Sequence, residues 1–335
     1  MNRSDIRLAL PSKGRLEPES LEFLAACSLR VYKPNPRQYQ ASIPAIPALA
    51  VLFQRPGDIV VGVRAGSLDF GIAGLDIVAE KKGDNGDVLI LHDELGFGEC
   101  TLTLAVPEEW NVTDLNGVAA VARATLGDRP IRVATKYPTL TARFLDQHNL
   151  TPYQLINAEG TLEIAPHVGY ADFISDLVSS GQTLRDNRLV PLDDGVILKS
   201  QACLIANRKA LKTRPEMLSV AHELLEFIEA HLRAENFFMV TANMRGDSPE
   251  AISQKMFTQP DLVGLQGPTI SPVVPHTEKE ISWHAVNIIV RKDRISPAVS
   301  QLRAIGGSGV IVTPVTYIFE EEPARYRAML EALKK

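Results

Sequence analysis

Residues 171–187 read ADFISDLVSSGQTLRDN, and the reading of this stretch decides what kind of fold to expect. A β-rich run ends at Asp176. Ser179, Ser180, Gly181, Gln182 and Thr183 follow, and TLRDN then begins a helix-like segment. Strand, small-residue loop and helix form the unit from which parallel sheets are built. Such a loop lets backbone N–H groups converge on one oxyanion, with hydroxyls and a helix N-terminus adding donors and positive potential. A phosphomonoester fits it without a lysine. Asp176, just before the loop, would accept hydrogen bonds from two ribose hydroxyls. Asp172 lies four residues earlier on the same strand face. It or Glu163 would support Asp176 or a metal's water shell. A bare Ser-Ser-Gly is more often a capped turn, but two upstream acids favour the sugar-phosphate.

Outward from this segment, short apolar runs alternate with helical patterns. IRLAL (6–10), ALAVLF (48–53) and LDFGIA (68–73) read as strands, with helices over 18–27 and 58–63 between them. This βαβ rhythm implies a mostly parallel sheet with helices on both faces. TLTLAVPEEW ends a strand at Pro107, where the chain crosses into a second lobe. There IRVAT (131–135), YQLIN (153–157) and ADFISDLV (171–178) continue the pattern, with a helix over 139–150, and ACLIAN (202–207) leads back to the first lobe. Gly66-Ser-Leu-Asp69-Phe70 and Gly169-Tyr-Ala-Asp172-Phe173 share the pattern Gly-x-x-Asp-Phe, one copy per lobe. An ancestral duplication facing a cleft would give this echo, and so would chance.

Pro215 opens the longest helix, to about Asn236. Ser248 is a candidate N-cap before Pro249. A Pro-rich stretch (267–275), a strand (283–290), a helix (297–305), a Gly-rich turn (306–309) and a strand (310–319) complete a small module of ferredoxin-like shape.

The 335 residues suffice for two or three domains at ~150 residues each. With 45% hydrophobic and 22% charged residues, the composition is that of an ordinary globular chain. Thirty-five Lys and Arg against 40 Asp and Glu give a net charge of −5, so a generic nucleic-acid coat or membrane-surface patch is not expected. Three scattered cysteines without a Cys-x-x-Cys pair point to reduced thiols, and MNRSDIRLAL is too short an apolar run for a signal peptide. No apolar stretch nears the ~20 residues of a membrane span. A cytoplasmic protein is expected. His92, His148 and His167 have no partner at ligand spacing and read as surface or packing residues.

The segment TLEIAPHVGYADFISDLVSSGQTLRDNRL (161–189) resembles the signature of the ATP phosphoribosyltransferase family. LALPSKGRL (8–16), RPGDIVVGVRAGSLDFGIAGLDIVAE (55–80) and RVATKYPTLTARFL (132–145) are similar to further motifs of that family. GLQGPTISPV (264–273), with the strand, helix and strand after it, resembles its long form with a C-terminal regulatory domain.

The resemblance implies an α/β fold: a two-lobed catalytic core like the type II periplasmic binding proteins, plus the small ferredoxin-like α+β domain. Lobe I would comprise residues 1–106 and 205–245, lobe II 107–204, and the regulatory domain 246–335. It implies transfer of phosphoribosyl from phosphoribosyl pyrophosphate to N1 of ATP, releasing pyrophosphate, as the first step of histidine biosynthesis. Mg²⁺ would be held mainly by substrate phosphates. Histidine would inhibit, and the homodimer would assemble to a homohexamer.

Carried over residue by residue, Ser179 to Thr183 would hold the 5-phosphate and Asp176 the ribose, with Glu163 and Asp172 nearby. Asp76 and Tyr137 would border the adenine nucleotide. Lys13, Arg15 and Arg55 would supply charge for phosphates, Arg15 on the ATP side as well. Leu75 stands where the family commonly has Arg, Gly57 where it frequently has a basic residue, and Ser180 where Thr is common. The alternatives are a two-lobed small-molecule sensor and a catalytically inactive regulatory paralogue.

Overall fold

A computed structural model describes residues 5–35, 38–127, 129–158, 160–274 and 282–334. Pro275, the end of the Pro-rich stretch, and the first four residues lie outside the described residues. The chain forms two compact units, Met1–Leu225 with Ala324–Lys335, and Glu226–Pro323.

The first unit holds two sheets built to one plan. Its opening elements are β1 (Ile6–Pro11), α1 (Leu16–Ala26), β2 (Gln40–Ser42), β3 (Leu49–Gln54), α2 (Pro56–Arg64), β4 (Phe70–Gly74), α3 (Leu75–Lys81) and β5 (Val88–His92). The chain then crosses to β6 (Cys100–Pro107), α4 (Leu115–Leu126), β7 (Ile131–Thr135), α5 (Pro138–Gln147), β8 (Tyr153–Asn157), β9 (Phe173–Val178), α6 (Gln182–Asp186) and β10 (Leu189–Ser200). It returns as β11 (Ala202–Asn207), followed by α7 (Arg208–Thr213) and α8 (Pro215–Ala234).

The strand orders are β2-β3-β1-β4-β11-β5 and β10-β6-β9-β7-β8. In each sheet three parallel strands are followed by one strand delivered from the other lobe, as expected for a type II binding-protein core. β6 pairs with β9 and β10, so lobe II begins at Cys100, not at residue 107, and β11 rejoins lobe I from Ala202. Pro107 ends a strand inside lobe II; the crossing lies before it.

Both lobes fasten the start of their central strand in the same way. Asp69 donates its N–H to the Arg7 carbonyl at 3.1 Å and accepts the Arg7 N–H at 2.9 Å. Asp172 donates to the Arg132 carbonyl and accepts the Arg132 N–H, each at 2.8 Å. Arg7 and Arg132 are each the second residue of the first parallel strand of their lobe. An arginine closes each clasp from outside, Arg214 on Asp69 at 3.1 Å and Arg129 in a two-pronged pair on Asp172 at 2.7 Å. The preceding glycines, Gly66 (φ 74°) and Gly169 (φ 78°), take a backbone turn that costs other residues strain. The Gly-x-x-Asp-Phe echo is therefore one structural device used twice.

The second unit contains β12 (Phe237–Arg245), α9 (Pro249–Phe257), β13 (Thr269–Val273), β14 (Trp283–Arg291), α10 (Ile295–Ala304) and β15 (Ser308–Pro314), before α11 (Ala324–Lys334) rejoins the first unit. The order β13-β14-β12-β15, antiparallel throughout, with helices after the first and third strands, is the ferredoxin-like βαββαβ arrangement. The Ser248 cap accepts the Ala251 N–H at 3.2 Å. The boundary expected at 245/246 would cut β12 from its partners. That strand pairs along its whole length with β14, so it belongs to the small sheet.

Burial works against ionisation of Asp172, but hydrogen bonds from Arg129 and from the backbone and guanidinium of Arg132 outweigh it and hold its pKa at about 2. A depressed carboxylate stabilises the fold above the unfolded value near 3.8 and loses that contribution as the pH falls towards 2. Because Arg129 is surface-exposed, the expected size is about 1–2 kcal/mol. Asp172→Asn should lose this amount in urea melts at pH 7, and the gap to the parent chain should narrow at pH 2.5.

Candidate functional site

The parallel strands of both sheets end at loops that carry the chemically loaded residues, where α/β sheets place ligands. In lobe I, Lys13 and Arg15 follow β1, Arg55 follows β3, and Asp76 opens the helix after β4. In lobe II, Lys136 and Tyr137 follow β7, and Ser179 to Thr183 follow β9.

The loop after β9 has the expected shape. Ser179 and Ser180 are exposed, Gly181 turns the chain at φ 70°, and Gln182 starts the five-residue α6. Arg185 braces the loop by donating to the Ser180 carbonyl at 3.0 Å and to Gln182 Oε1 at 3.1 Å. Asp176 is half-buried on β9 opposite Thr103, and its Oδ1 accepts the Leu177 N–H at 2.8 Å. Burial pushes its pKa up. The Leu177 N–H and the Lys136 ammonium oppose this, and the Glu163 charge adds to it.

Asp172 and Glu163 stand elsewhere. Asp172 lies before the first residue of β9, at the strand end opposite the loop, and all its acceptor capacity goes to Arg129 and Arg132. Four residues along a strand are about 13 Å, so sharing a face with Asp176 does not bring the two together. Its role is the clasp. Glu163 lines a separate cavity of about 400 Å³ with Pro107, Glu108, His167 and Arg188. Pro107 and Leu189 pair at that same far end of the sheet. Glu163 therefore reaches Asp176 through its charge alone.

Lys13 and Arg55 are exposed at their strand ends. Arg15 is exposed too, but its guanidinium donates to the Glu99 carbonyl at 2.8 Å, tying the first βα turn to the segment that crosses between lobes. Beside that segment a cavity of about 560 Å³ is lined by Leu75, Cys100, Ser179, Lys199 and Ser200, among others. Leu75 thus presents an apolar wall where the family commonly has a cation. A Cβ at Gly57 would stand 3.0 Å from Lys81 Nζ, so a cation is present at this place although residue 57 brings none.

Asp76 and Tyr137 are brought together across the two lobes. The Tyr137 hydroxyl donates to Asp76 Oδ2 at 2.6 Å, and the Ser200 hydroxyl donates to Oδ1 at 2.7 Å. Burial, followed by the Asp76 charge, raises the Tyr137 pKa far beyond its usual value, so the phenol stays protonated. One turn further along α3, Glu80 accepts the N–H groups of Thr139 and Leu140 at 2.8 and 2.9 Å. A buried hydroxyl chain, Thr135–Thr141–Ser175, fixes the turn between β7 and α5 against β9.

Sequence reasoning did not single out Glu80, Lys136, Arg185 or Ser200. Glu80 had a signal, its i+4 spacing from Asp76, and Lys136 stood next to Tyr137. Arg185 and Ser200 carried none. His92 is buried; burial and then the Arg325 charge lower its pKa to about 4, so it packs as a neutral ring.

Tyr137→Phe leaves a buried Asp76 oxygen without its hydroxyl donor. The expected loss is about 1–2 kcal/mol, read as a lower unfolding midpoint.

Two family descriptions match the chain: ATP phosphoribosyltransferase over residues 55–230, and HisG, C-terminal domain, over residues 234–317. The chain is 47% identical to ATP phosphoribosyltransferase 2, chloroplastic, of Arabidopsis thaliana, covering 99% of this chain and 82% of the relative. To ATP phosphoribosyltransferase 1, chloroplastic, of the same plant it is 44% identical over the same shares. To the ATP phosphoribosyltransferase of Rhodopseudomonas palustris it is 32% identical, with 98% of each covered. With both descriptions matched in order and near full-length identity at these levels, the chain belongs to the ATP phosphoribosyltransferase family.

Proposed function

We propose that the cleft between the two lobes carries out phosphoribosyl transfer to ATP, the first step of histidine biosynthesis. N1 of the adenine attacks C1 of the sugar, the C1–oxygen bond to pyrophosphate breaks, and phosphoribosyl-ATP and pyrophosphate leave. The observation that carries this reading is the half-buried carboxylate of Asp176 near the end of β9, two residues before the Ser-Ser-Gly loop that follows the strand.

The loop N–H groups and the hydroxyls of Ser179, Ser180 and Thr183 would hold the 5-phosphate, with Arg185 keeping the loop in shape. Asp176 would accept the ribose hydroxyls and balance the positive charge that develops on the ring. Lys13, Arg55 and Lys136 would meet the phosphates, and Leu75 would give the nucleotide an apolar contact beside the Asp76–Tyr137 bridge. The reaction then depends on orientation and charge, without a covalent intermediate.

Mg²⁺ belongs to the same proposal. Among the described residues no three acidic, His or Cys side chains converge as a cage for a metal. Magnesium on a diphosphate needs one or two protein carboxylates at most, and Asp176 fits that part. When bound, the ion would neutralise charge on the leaving group. Cys27, Cys100 and Cys203 form no disulfide, which favours a reducing compartment such as the cytoplasm, and no helix among the described residues is long and apolar enough to cross a membrane.

Histidine inhibition and assembly from homodimer to homohexamer are proposed for residues 226–323. Self-association is supported by Met239 and Ile311, exposed on the sheet face opposite the one that buries Val240, Ala242 and Met244.

Asp176→Asn is expected to lower kcat/KM for phosphoribosyl pyrophosphate by about 10²-fold, with the KM for ATP much less affected. Because burial raises the Asp176 pKa, the parent enzyme should lose activity on acidification earlier than an ordinary Asp would dictate. That acid limb should vanish from the profile of the variant. Full activity in Asp176→Asn would refute the assignment.

Replacing residues 236–323 by a short Gly-Ser linker, which keeps α11 in place, should remove histidine inhibition and spare part of the transfer activity. Inhibition persisting at the same histidine concentrations would place it in the cleft.

A further inference from the structure

Helix α5 belongs to lobe II, yet its cap comes from lobe I. The first N–H groups of a helix have no intrahelical acceptor. Tyr137, at the N-cap position of α5, provides no side-chain cap, and Pro138 follows it. Thr139 N–H instead donates to Glu80 Oε1 at 2.8 Å and Leu140 N–H to Oε2 at 2.9 Å. The carboxylate thus satisfies two orphan donors and meets the positive end of the helix dipole.

Glu80 sits on α3 one turn after Asp76, so both carboxylates leave one helix face towards lobe II. Asp76 holds the Tyr137 hydroxyl and the Ser200 hydroxyl. The covalent links between lobes are two crossings, from β5 to β6 and from β10 to β11. Two adjacent crossings form a hinge and leave it free to bend. The α3–α5 contact, with Glu80 at its centre, restrains that bending at the end of β7 where the reacting groups gather.

We infer that Glu80 is a positioning residue that sets the angle between the lobes, and so the approach of the nucleotide held against lobe I to the sugar held by the loop of lobe II. Its carboxylate is taken up by the two N–H groups of α5, so it would act without touching either substrate. The inference rests on the phosphoribosyl reading of the cleft, and it acts on kcat, because an attack geometry displaced by about 1 Å costs up to ~10²-fold in rate.

A merely structural cap would act by loosening α5, and a pair of variants separates the two roles. In full-length protein, Glu80→Ala removes both the cap and the tie. Adding Thr139→Asp to it places an acid in the first turn of α5, restoring dipole compensation within lobe II but not the tie to α3. The double variant should recover thermal stability and the hydrogen-exchange protection of α5. Its kcat should stay about 10-fold below the parent, with the dissociation constant for phosphoribosyl pyrophosphate alone unchanged. Glu80→Asp, one methylene shorter, should lose kcat like Glu80→Ala.

A second readout needs no turnover. The Asp76 N–H donates to the Ser200 hydroxyl at 2.9 Å, and this amide should exchange about 10-fold faster in the double variant because the lobes part more often. Recovery of kcat together with stability, or Asp76 protection equal to the parent's, would overturn the inference. A parent chain unable to turn over ATP and phosphoribosyl pyrophosphate would defeat the phosphoribosyl reading, and the Asp76 amide would still decide the role of Glu80.

Discussion

Two buried aspartates, Asp69 and Asp172, hold the start of the central strand in each lobe, and the placement of everything chemical follows from them. Each pins its strand to the second residue of the neighbouring parallel strand by donating its backbone N–H to that residue's carbonyl and accepting that residue's N–H on its carboxylate. Once the starts are aligned, β1, β3 and β4 end together, while β9 runs three residues past the end of β7, and the loops after these strands lie at the same edge of their sheet. Both carboxylates are satisfied, with an arginine on each, which is the condition under which a buried charge is tolerated. Position in the strand separates the two kinds of aspartate in lobe II. Asp172 at the start of β9 is saturated and structural, whereas Asp176 further along keeps a raised pKa and room for a ligand.

Much of this was legible in the chain. The βαβ rhythm gave the parallel strands of both lobes, because fully buried strands read as apolar runs. The loop after Asp176 was legible because strand, small residues, glycine and helix succeed one another without ambiguity. The Gly-x-x-Asp-Phe echo was visible as well, but its meaning was not. Alternation places Asp172 and Asp176 on one face and says nothing about which acid has an arginine on it. Arg129 and Arg132 sit forty residues upstream, and the three-dimensional pairing of β7 with β9 is what brings them to Asp172.

Three of the strands that escaped the sequence did so for local reasons. β10 carries Pro191, two acids and Gly195 in mid-strand, which read as a turn; its register with β6 shifts on both sides of Val196 to accommodate them. β13 contains Pro272 but lies at the edge of its sheet, where a missing N–H costs no ladder bond. β12 follows α8 with only two residues between them, so its alternation merges with the helical pattern before it. Without β12 the ferredoxin-like unit lacks its first strand, and the domain boundary moves accordingly.

The charge of the chain looks wrong for an enzyme of polyanions until the acids are placed. Asp69 and Asp172 are spent in clasps, and Asp76 and Glu80 are spent on hydroxyl and N–H donors across the lobes. None of the four presents a free carboxylate to the strand ends. Lys13, Arg55 and Lys136 are exposed in the loops there, and Arg185 is exposed on α6. The cavity at that edge is also lined by Asp93, Glu94 and Glu99, so these cations and the oriented N–H groups act over a short range, within a Debye length of roughly 8 Å, and the net charge of −5 spread over the chain does not decide the potential at any one loop. The same arrangement explains why the bridge between lobes is built from carboxylates. A cationic tie would sit on α5 at the positive end of its dipole and repel it, whereas Asp76 and Glu80 join the lobes while cancelling positive potential next to a site that must still bind and release its anions.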